Sequence, residues 1–343
     1  MNLFDRNETL KELGEFGLIE RIAGLFEPDT DKDFTGIGDD CAVIKNDASY
    51  STLITTDMLL EGRHFRREWS SAKDLGYKSL AVNLSDISAM GGKPRYALLS
   101  IGLPSDTDPN WLDGFFSEVA RLCESYGVKL IGGDTAKSSS IIINYTVLGS
   151  IEHQNILWRS AAKPGDKIGL LGKVGEGGAG LRLLEESHSK EVPSHKDLIK
   201  SHNRPSIYVK EAVFLADSGI VHSMIDVSDG IQSDAGHIAK QSGVSLSIHT
   251  NTLPVSKQLI DVCDKFSWSV EEIALTAGED YALMFTFDCE KEDTLKAKLQ
   301  DSFPETDFTV IGKVTEGDAD VRFFKNGEPF ELHQHGFDQF KTA

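Results

Sequence analysis

The stretch 81–92, AVNLSDISAMGG, is the second half of a helix that must be buried and yet carries a carboxylate. Leu80, Leu84 and Ile87 follow the i, i+4, i+7 spacing of one apolar helix face. A second stripe is polar and consists of Ser79, Asn83 and Asp86. A buried carboxylate without a partner is strongly unfavourable, so something positive must approach Asp86 in the folded protein.

Length and charge limit the classes of protein that this chain can belong to. Its 343 residues exceed the size of a typical single core, and a Pro-Gly-Asp turn at 164–166 lies just after a boundary near residue 151. We therefore expect two domains, 1–150 and 151–343. The net charge of −19 argues against nucleic acid or an anionic membrane as a partner, since both are polyanions.

Nothing in the chain reads as a signal peptide or as a membrane span. The N-terminal residues have no uninterrupted apolar segment, and no apolar run approaches the roughly 18 residues that a bilayer requires. The four cysteines are scattered, without the spacing of a disulfide framework or a zinc site. These features predict a cytoplasmic protein with no membrane partner.

Strands and helices alternate along the chain, which predicts an α/β (α+β) fold. The first 150 residues combine several strands, one of them ending at Asp57, with two long helices over about 70–90 and 109–126. The second half continues with strands and helices, including a helix from about Ala179. No simple βαβ repeat is present.

The segment GEGGAG at 175–180 matches the spacing of a dinucleotide-binding loop. Such a fold would next need a second strand with an acidic residue about 20 positions on. That position instead holds VPSHKDLIK, a loop and the beginning of a helix. We therefore interpret the glycines as a close-packed turn or a general phosphate-facing loop.

A set of acidic residues shares one unusual context, at the tip of an apolar element or within one, most with glycine beside them. Its members are Asp39, Asp40, Asp57, Asp86, Asp134, Asp226, Asp229, Glu279 and Asp280. A single aspartate of this kind is more often a helix cap or turn former, as Asp229 before Gly230 could be. Nine in one chain favour a common site.

If these carboxylates converge, their repulsion requires compensation. Two of them at about 4 Å repel by roughly 4 kcal/mol at an effective dielectric constant near 20. Carboxylate and hydroxyl oxygens without Cys or His suit Mg²⁺, which is usually completed by phosphate oxygens. The residues alone therefore predict a Mg²⁺- and nucleotide-dependent enzyme of phosphoryl transfer.

Several segments, in order from residue 14 to about 340, resemble the thiamine-monophosphate kinase family of the AIR synthetase-like group. They include GIGDDCAV, TTDMLLEGRHF, LGYKSLAVNLSDISAMGG, IGGDT, IDVSDGIQSDAGHI, LTAGEDYALMFT and HGFDQF. The resemblance implies ATP-dependent phosphorylation of thiamine monophosphate to thiamine diphosphate, by direct in-line transfer. It also implies a two-domain fold, in which an N-terminal mixed sheet forms a barrel across a homodimer and an α/β sandwich follows.

The same resemblance implies roles for individual residues. The implied Mg²⁺ ligands are Asp40, Thr55, Thr56, Asp57, Asp86, Asp134, Asp226 and Asp229. The implied nucleotide contacts are Gly133, Asp134, Arg159 and Ser228, and the implied substrate contacts are His64, Glu279 and Phe337. Asp57, Asp86, Asp134 and Asp226 would be the residues essential for catalysis. His64 could equally be a packing histidine, and Phe337 stands where relatives commonly carry Tyr or Trp, so only ring stacking is implied there.

Two alternatives remain open from the sequence. One is another ATP-dependent enzyme of the same group, acting on a ribotide amidine, which should lack GRHF and GEDY in these settings. The other is a non-catalytic acidic protein that binds Mg²⁺ or nucleotide. An assay for phosphate transferred from ATP distinguishes the second alternative from an enzyme.

Overall fold

The computed structural model describes residues 9–26, 33–186, 195–333, 336 and 340. The elements of the first half begin with a helix whose N-terminus is closed by a capping box at Thr9. They are α1 (Leu10–Ala23), β1 (Phe34–Thr35), β2 (Ala42–Lys45), β3 (Tyr50–Leu60), α2 (Ala72–Ala89), β4 (Lys93–Leu103), α3 (Pro109–Tyr126), β5 (Lys129–Lys137) and β6 (Ile142–Glu152).

The second half contributes the remaining helices and strands. They are β7 (Lys167–Leu171), α4 (Glu176–Glu185), α5 (Lys196–Asn203), α6 (Val209–Asp217), β8 (Val221–Asp226), α7 (Ile231–Ser242), β9 (Ser245–His249), α8 (Lys257–Phe266), α9 (Val270–Thr276), β10 (Leu283–Phe287), α10 (Glu292–Ser302), β11 (Phe308–Thr315), β12 (Asp320–Lys325) and β13 (Glu328–Phe330).

Each half builds its own mixed sheet. The first sheet has the order β1-β2-β3-β6-β4-β5, and only its β4–β5 pair is parallel. The second has the order β13-β12-β9-β11-β7-β10-β8, with β9 and β12 parallel. Within the described residues this is the mixed α/β architecture that the sequence predicts.

Helix α2 lies between the two sheets. It contacts β3 and β6 of the first sheet, β8 of the second, and helices α3 and α6. Thirteen of its eighteen residues are buried, including Leu80, Leu84 and Ile87, so the predicted apolar face is confirmed. The surrounding core is continuous from Leu53 of the first sheet to Phe285 of the second. Because α2 is buried on several sides, it has polar side chains on more than one stripe, each facing a different neighbouring element.

The two long predicted helices are confirmed, but three other expectations need correction. The helix expected from about Ala179 begins at Glu176. Asp57 does not end its strand, because β3 continues to Leu60, and Asp134 lies inside β5 for the same reason. Pairing continues beyond each aspartate, to Leu60 opposite Ile142 of β6 and to Lys137 opposite Leu103 of β4, so the strand is not interrupted there. None of the described helices is both long and apolar enough to span a lipid bilayer.

The sharpest test of the packing concerns two helical glycines. A Cβ on Gly76 would lie 2.5 Å from the Phe115 carbonyl oxygen, because α2 and α3 touch there, whereas a Cβ on Gly236 in α7 meets nothing within 4 Å. Alanine is the better helix former by up to about 1 kcal/mol. We expect Gly76→Ala to lower the free energy of unfolding by about 2 kcal/mol through overpacking.

Gly236→Ala is the matched control and should raise the free energy of unfolding by about 0.5–1 kcal/mol. Urea denaturation followed by circular dichroism measures both values. Equal effects of the two substitutions would contradict this account of the α2–α3 contact.

Candidate active site

One polar stripe of α2 faces the first sheet. The Asn83 side-chain oxygen accepts a hydrogen bond from the Asp57 backbone N–H at 3.0 Å, and the Thr55 hydroxyl donates to the Asp86 carboxylate. Thr55 and Asp57 alternate along β3, so both side chains lie on the face that α2 covers. The stripe recognised in the sequence therefore attaches the helix to the middle of β3.

A second polar stripe of α2 faces the other half of the molecule. The Ser85 hydroxyl donates to the Asp226 carboxylate at the end of β8, and the Lys78 ammonium pairs with Glu279 in the loop before β10. Lys78 and Ser85 are seven residues apart, so they lie on the same side of the helix. The sequence analysis missed both residues, because their partners lie far away in the second half of the chain.

Three carboxylates meet where the two stripes converge. One oxygen each from Asp40, Asp86 and Asp226 lies within 4.8 Å of the others. Burial and the charge of Asp40 raise the pKa of Asp226 to about 8. Burial, with Asp57 and Asp226 nearby, raises the pKa of Asp86 well above its usual range. The convergence predicted for these three residues is present, and Asp57 adjoins them.

The cationic side chain beside these acids is Arg159, which the family resemblance implies as a nucleotide contact. Its guanidinium makes a two-pronged contact with Asp40, and its backbone N–H donates to Asp39 at 3.1 Å. Asp86 itself is bonded to a hydroxyl, not to a cation. One guanidinium therefore offsets the charges of Asp39 and Asp40. Among the described residues, no cationic side chain is in hydrogen-bond contact with the deeper acids, Asp86 and Asp226.

The donor set at this position fits a small hard cation. The three converging groups offer carboxylate oxygens, with the Thr55 and Ser85 hydroxyls behind them, and among the described residues no sulfur or imidazole donor joins the cluster. Oxygen donors of this kind are the ligands of Mg²⁺. A divalent ion would also relieve the repulsion that, together with burial, raises the pKa of Asp86 and Asp226.

Asp229 belongs to a neighbouring acidic group at the start of α7. Its backbone N–H donates to the Asp234 carboxylate at 3.2 Å, and the N-cap position of α7 is Gly230. Asp229 is therefore not the helix cap that the sequence alone could suggest. Burial, with Glu15 of α1 nearby, raises the pKa of Asp229 to about 7.

Glu279 lies in a strained loop. Glu279 and Tyr281 have φ values of 63° and 52°, which non-glycine residues seldom adopt. Two backbone hydrogen bonds of 2.8 Å, from Glu279 to Ser228 and from Tyr281 to Val227, hold the loop against the end of β8. On its other side the loop borders a cavity of about 300 Å³. Strain held in place in this way is typical of functional positions.

The glycine-rich segment 175–180 packs against that loop, and two amides at its first turn already bond a side chain. The Asp280 carboxylate accepts the N–H groups of Gly175 and Gly177 at 2.6 and 2.9 Å. A Cβ on Gly177 would lie 2.2 Å from the Glu279 carbonyl oxygen. Of the two interpretations offered for these glycines, the close-packed turn is correct.

His64 is held by its own turn, since Nδ1 accepts the Leu60 backbone N–H at 3.0 Å. The other ring nitrogen, Nε2, is then the protonated one in the neutral imidazole. Burial lowers the pKa of His64, which keeps the ring uncharged at neutral pH.

Other predicted site residues are not brought into the cluster. The Thr56 side chain lies on the opposite, exposed face of β3 and donates to the Tyr145 carbonyl at 3.0 Å. Gly133 and Asp134 lie on β5, the exposed edge strand. Gly133 is needed there for packing, because a Cβ would lie 1.7 Å from the Leu99 carbonyl oxygen. Phe337 falls outside the described residues.

Comparison with known proteins places the chain in a family. Residues 38–151 match the AIR synthase related protein N-terminal domain, and residues 163–325 match the corresponding C-terminal domain. The thiamine-monophosphate kinase of Buchnera aphidicola subsp. Schizaphis graminum is 37% identical over 96% of this chain and 99% of its own length. The Escherichia coli K12 enzyme is also 37% identical, with the same coverage.

Solved structures agree with the sequence relatives. "AaThiL complexed with AMPPCP and TMP" is 34% identical with a TM-score of 0.83, covering 97% of this chain and 99% of that one. Thiamine monophosphate kinase from Aquifex aeolicus is 34% identical with a TM-score of 0.78, covering 94% and 100%. With both domains matched and full-length relatives above 30% identity, the chain belongs to the thiamine-monophosphate kinase family of AIR synthase related proteins.

Proposed function

We propose that this protein is an ATP-dependent kinase that converts thiamine monophosphate to thiamine diphosphate. The observation that carries the proposal is the meeting of Asp40, Asp86 and Asp226 on a buried helix and two strand ends, in a chain 37% identical to thiamine-monophosphate kinases. A relative of this fold has been solved with AMPPCP and TMP, which supports both substrates. The four cysteines are free, which agrees with the cytoplasm as its compartment.

The proposed reaction is a single in-line transfer. A phosphate oxygen of thiamine monophosphate attacks the γ-phosphorus of ATP, the bond from that phosphorus to the β,γ-bridging oxygen breaks, and ADP leaves. The attacking oxygen is already ionised at neutral pH, so no side chain has to remove a proton. Catalysis then consists of positioning and charge neutralisation, as in other phosphoryl transfers.

The residues proposed to hold Mg²⁺ are those implied by the family resemblance. They are Asp40, Thr55, Asp57, Asp86 and Asp226 in or beside the cluster, Asp229 next to it, and Thr56 and Asp134, which lie outside it. Bound there, Mg²⁺ would neutralise and align the phosphate oxygens of the two substrates. The Thr55 and Ser85 hydroxyls orient the Asp86 and Asp226 carboxylates, and Asn83 fixes the backbone at Asp57, through the hydrogen bonds described above. Such supporting bonds keep ligand oxygens in a fixed geometry.

The substrates are proposed to lie on either side of this cluster. Gly133, Asp134, Arg159 and Ser228 are the proposed nucleotide contacts, and Arg159 supplies a guanidinium suited to phosphate. His64, Glu279 and Phe337 are the proposed contacts of thiamine monophosphate, with the Glu279 carboxylate suited to the aminopyrimidine or the thiazolium. Residues 1–150 would then form the metal and dimerisation domain, and 151–343 would complete the site.

We also propose a homodimer through the outer face of the first sheet. Met58, Tyr96 and Leu98 are 51%, 45% and 36% exposed on that face. Edge strand β5 is exposed over all nine residues and carries Leu130 and Ile131. Exposed apolar side chains beside an open sheet edge are typical of an interaction surface. Pairing of two such sheets would cover the strand that carries Gly133 and Asp134.

The direct test of function is an assay with purified protein, MgATP and thiamine monophosphate, reading thiamine diphosphate by chromatography. Asp86→Asn and Asp226→Asn should each lower turnover by about 1000-fold, because each removes a charge that the metal and phosphates require. Asp106→Asn, at an exposed turn, is the control and should retain wild-type turnover. Thiamine and a ribotide amidine serve as control substrates; turnover of either in place of thiamine monophosphate would overturn the proposal.

Metal removal gives an independent prediction about stability. In EDTA, Asp86→Asn should raise the free energy of unfolding by about 1–2 kcal/mol, because it removes one member of a repelling buried cluster. With Mg²⁺ and ATP added, the wild type should gain thermal stability and the variant should gain much less. Thermal denaturation in the two conditions checks both statements, and a destabilised variant in EDTA would contradict the repulsion argument.

The dimer has its own test. Leu98→Glu should convert a dimer to a monomer in sedimentation velocity, because the charge would be buried on the paired face. Ile260→Glu, on the exposed side of α8 at 39% exposure, is the matched control and should leave the dimer intact. A wild-type protein that sediments as a monomer at micromolar concentration would refute the interface.

A further inference from the structure

Lys78 is a buried charge that the proposed chemistry does not use. Its side chain is only 2% exposed, in the middle of the molecule. A fully buried lysine is rare, because removing an ammonium from water is costly unless a partner is close. Its partner is the carboxylate of Glu279, the residue proposed to contact the substrate.

His202 of α5 completes the arrangement. Lys78 Nζ lies 3.4 Å from His202 Nε2, and His202 Nδ1 lies 3.4 Å from Glu279 Oε2. Burial and the adjacent ammonium lower the pKa of His202 to about 3, so the ring is neutral. A neutral imidazole can accept from Lys78 through one nitrogen and face Glu279 with the N–H of the other.

Both contacts use the same oxygen of Glu279. Lys78 and His202 approach Oε2, which leaves Oε1 for a donor on the substrate. Burial opposes the charge on this carboxyl, but Lys78 and His202 hold the pKa of Glu279 below its usual value. The carboxylate is thus kept ionised and turned in one direction at a position where the backbone is already strained.

We infer that Lys78 is a positioning residue for the substrate's organic end: it acts through Glu279, holding that carboxylate charged and oriented toward the bound thiamine moiety. This inference rests on the proposed function of Glu279. Lys78 and Asp86 share helix α2, so one rigid element sets the distance between the substrate-facing carboxylate and the acidic cluster. Lys78 itself does not touch the reacting phosphates in this assignment.

The first experiment compares steady-state kinetics of three variants with the wild type. Lys78→Met removes the charge and keeps an apolar stem of similar length, and should raise KM for thiamine monophosphate at least about tenfold while kcat and KM for ATP stay within about threefold. Lys78→Arg restores a cation and should recover most of the affinity. Lys73→Met, at an exposed position of the same helix, should change nothing.

A double-mutant cycle with Glu279→Gln tests whether Lys78 acts through that carboxylate. If it does, Lys78→Met should add little to the raised KM of Glu279→Gln, so that the two effects are far from multiplicative. Multiplicative effects, or equal increases in KM for both substrates, would overturn the inference. If Lys78→Met does not fold, Lys78→Gln, which keeps a donor without the charge, replaces it with the same expectations.

The outcomes separate this inference from the proposed function. An unchanged KM for thiamine monophosphate in Glu279→Gln would remove the substrate role of Glu279 and, with it, the role of Lys78. A raised KM in Glu279→Gln together with an unchanged KM in folded Lys78→Met would leave the proposed function standing and overturn only the inference.

Discussion

The rest of the structure depends on the burial of helix α2 between two sheets. A helix enclosed in this way must find a partner for each polar side chain, because water is not available. The stripe with Asn83 and Asp86 finds its partners on β3, and the stripe with Lys78 and Ser85 finds them in the second half of the chain. The helix thereby sets how the two domains meet.

That arrangement concentrates negative charge where the stripes converge. Arg159 offsets Asp39 and Asp40, but the deeper carboxylates keep raised pKa values because burial and neighbouring acids both oppose ionisation. A stability-driven design would replace them with apolar residues. Their presence in a well-packed interior is an argument for a ligand that carries positive charge.

Much of this was accessible from the sequence, for identifiable reasons. Apolar spacing located α2 and α3, and the position of acidic residues at the tips of apolar elements or within them selected Asp40, Asp86 and Asp226. Alternation along β3 also indicates that Thr55 and Thr56 cannot both face the cluster, since consecutive side chains of a strand point to opposite faces.

Other features could not be predicted from local patterns. Lys78 looks like a solvent-facing residue of a helix until the partner loop, two hundred residues away in sequence, is placed beside it. The ends of β3 and β5, which lie beyond Asp57 and Asp134, are set by pairing with β6 and β4 and not by the local sequence. Asp134 lies on the exposed edge strand, the surface that we propose pairs with a second copy of the chain.

The carboxylate of Asp280 at the first turn of α4 has a consequence for how glycine-rich segments are recognised. A helix start whose amides already bond an internal carboxyl group has fewer amides to offer an incoming anion, whatever its glycine spacing. Sequence patterns for cofactor-binding loops describe backbone geometry, and they do not show whether a side chain of the same protein already bonds the loop. In this chain, an acidic residue about a hundred positions downstream, Asp280, bonds the loop and connects it to another part of the fold.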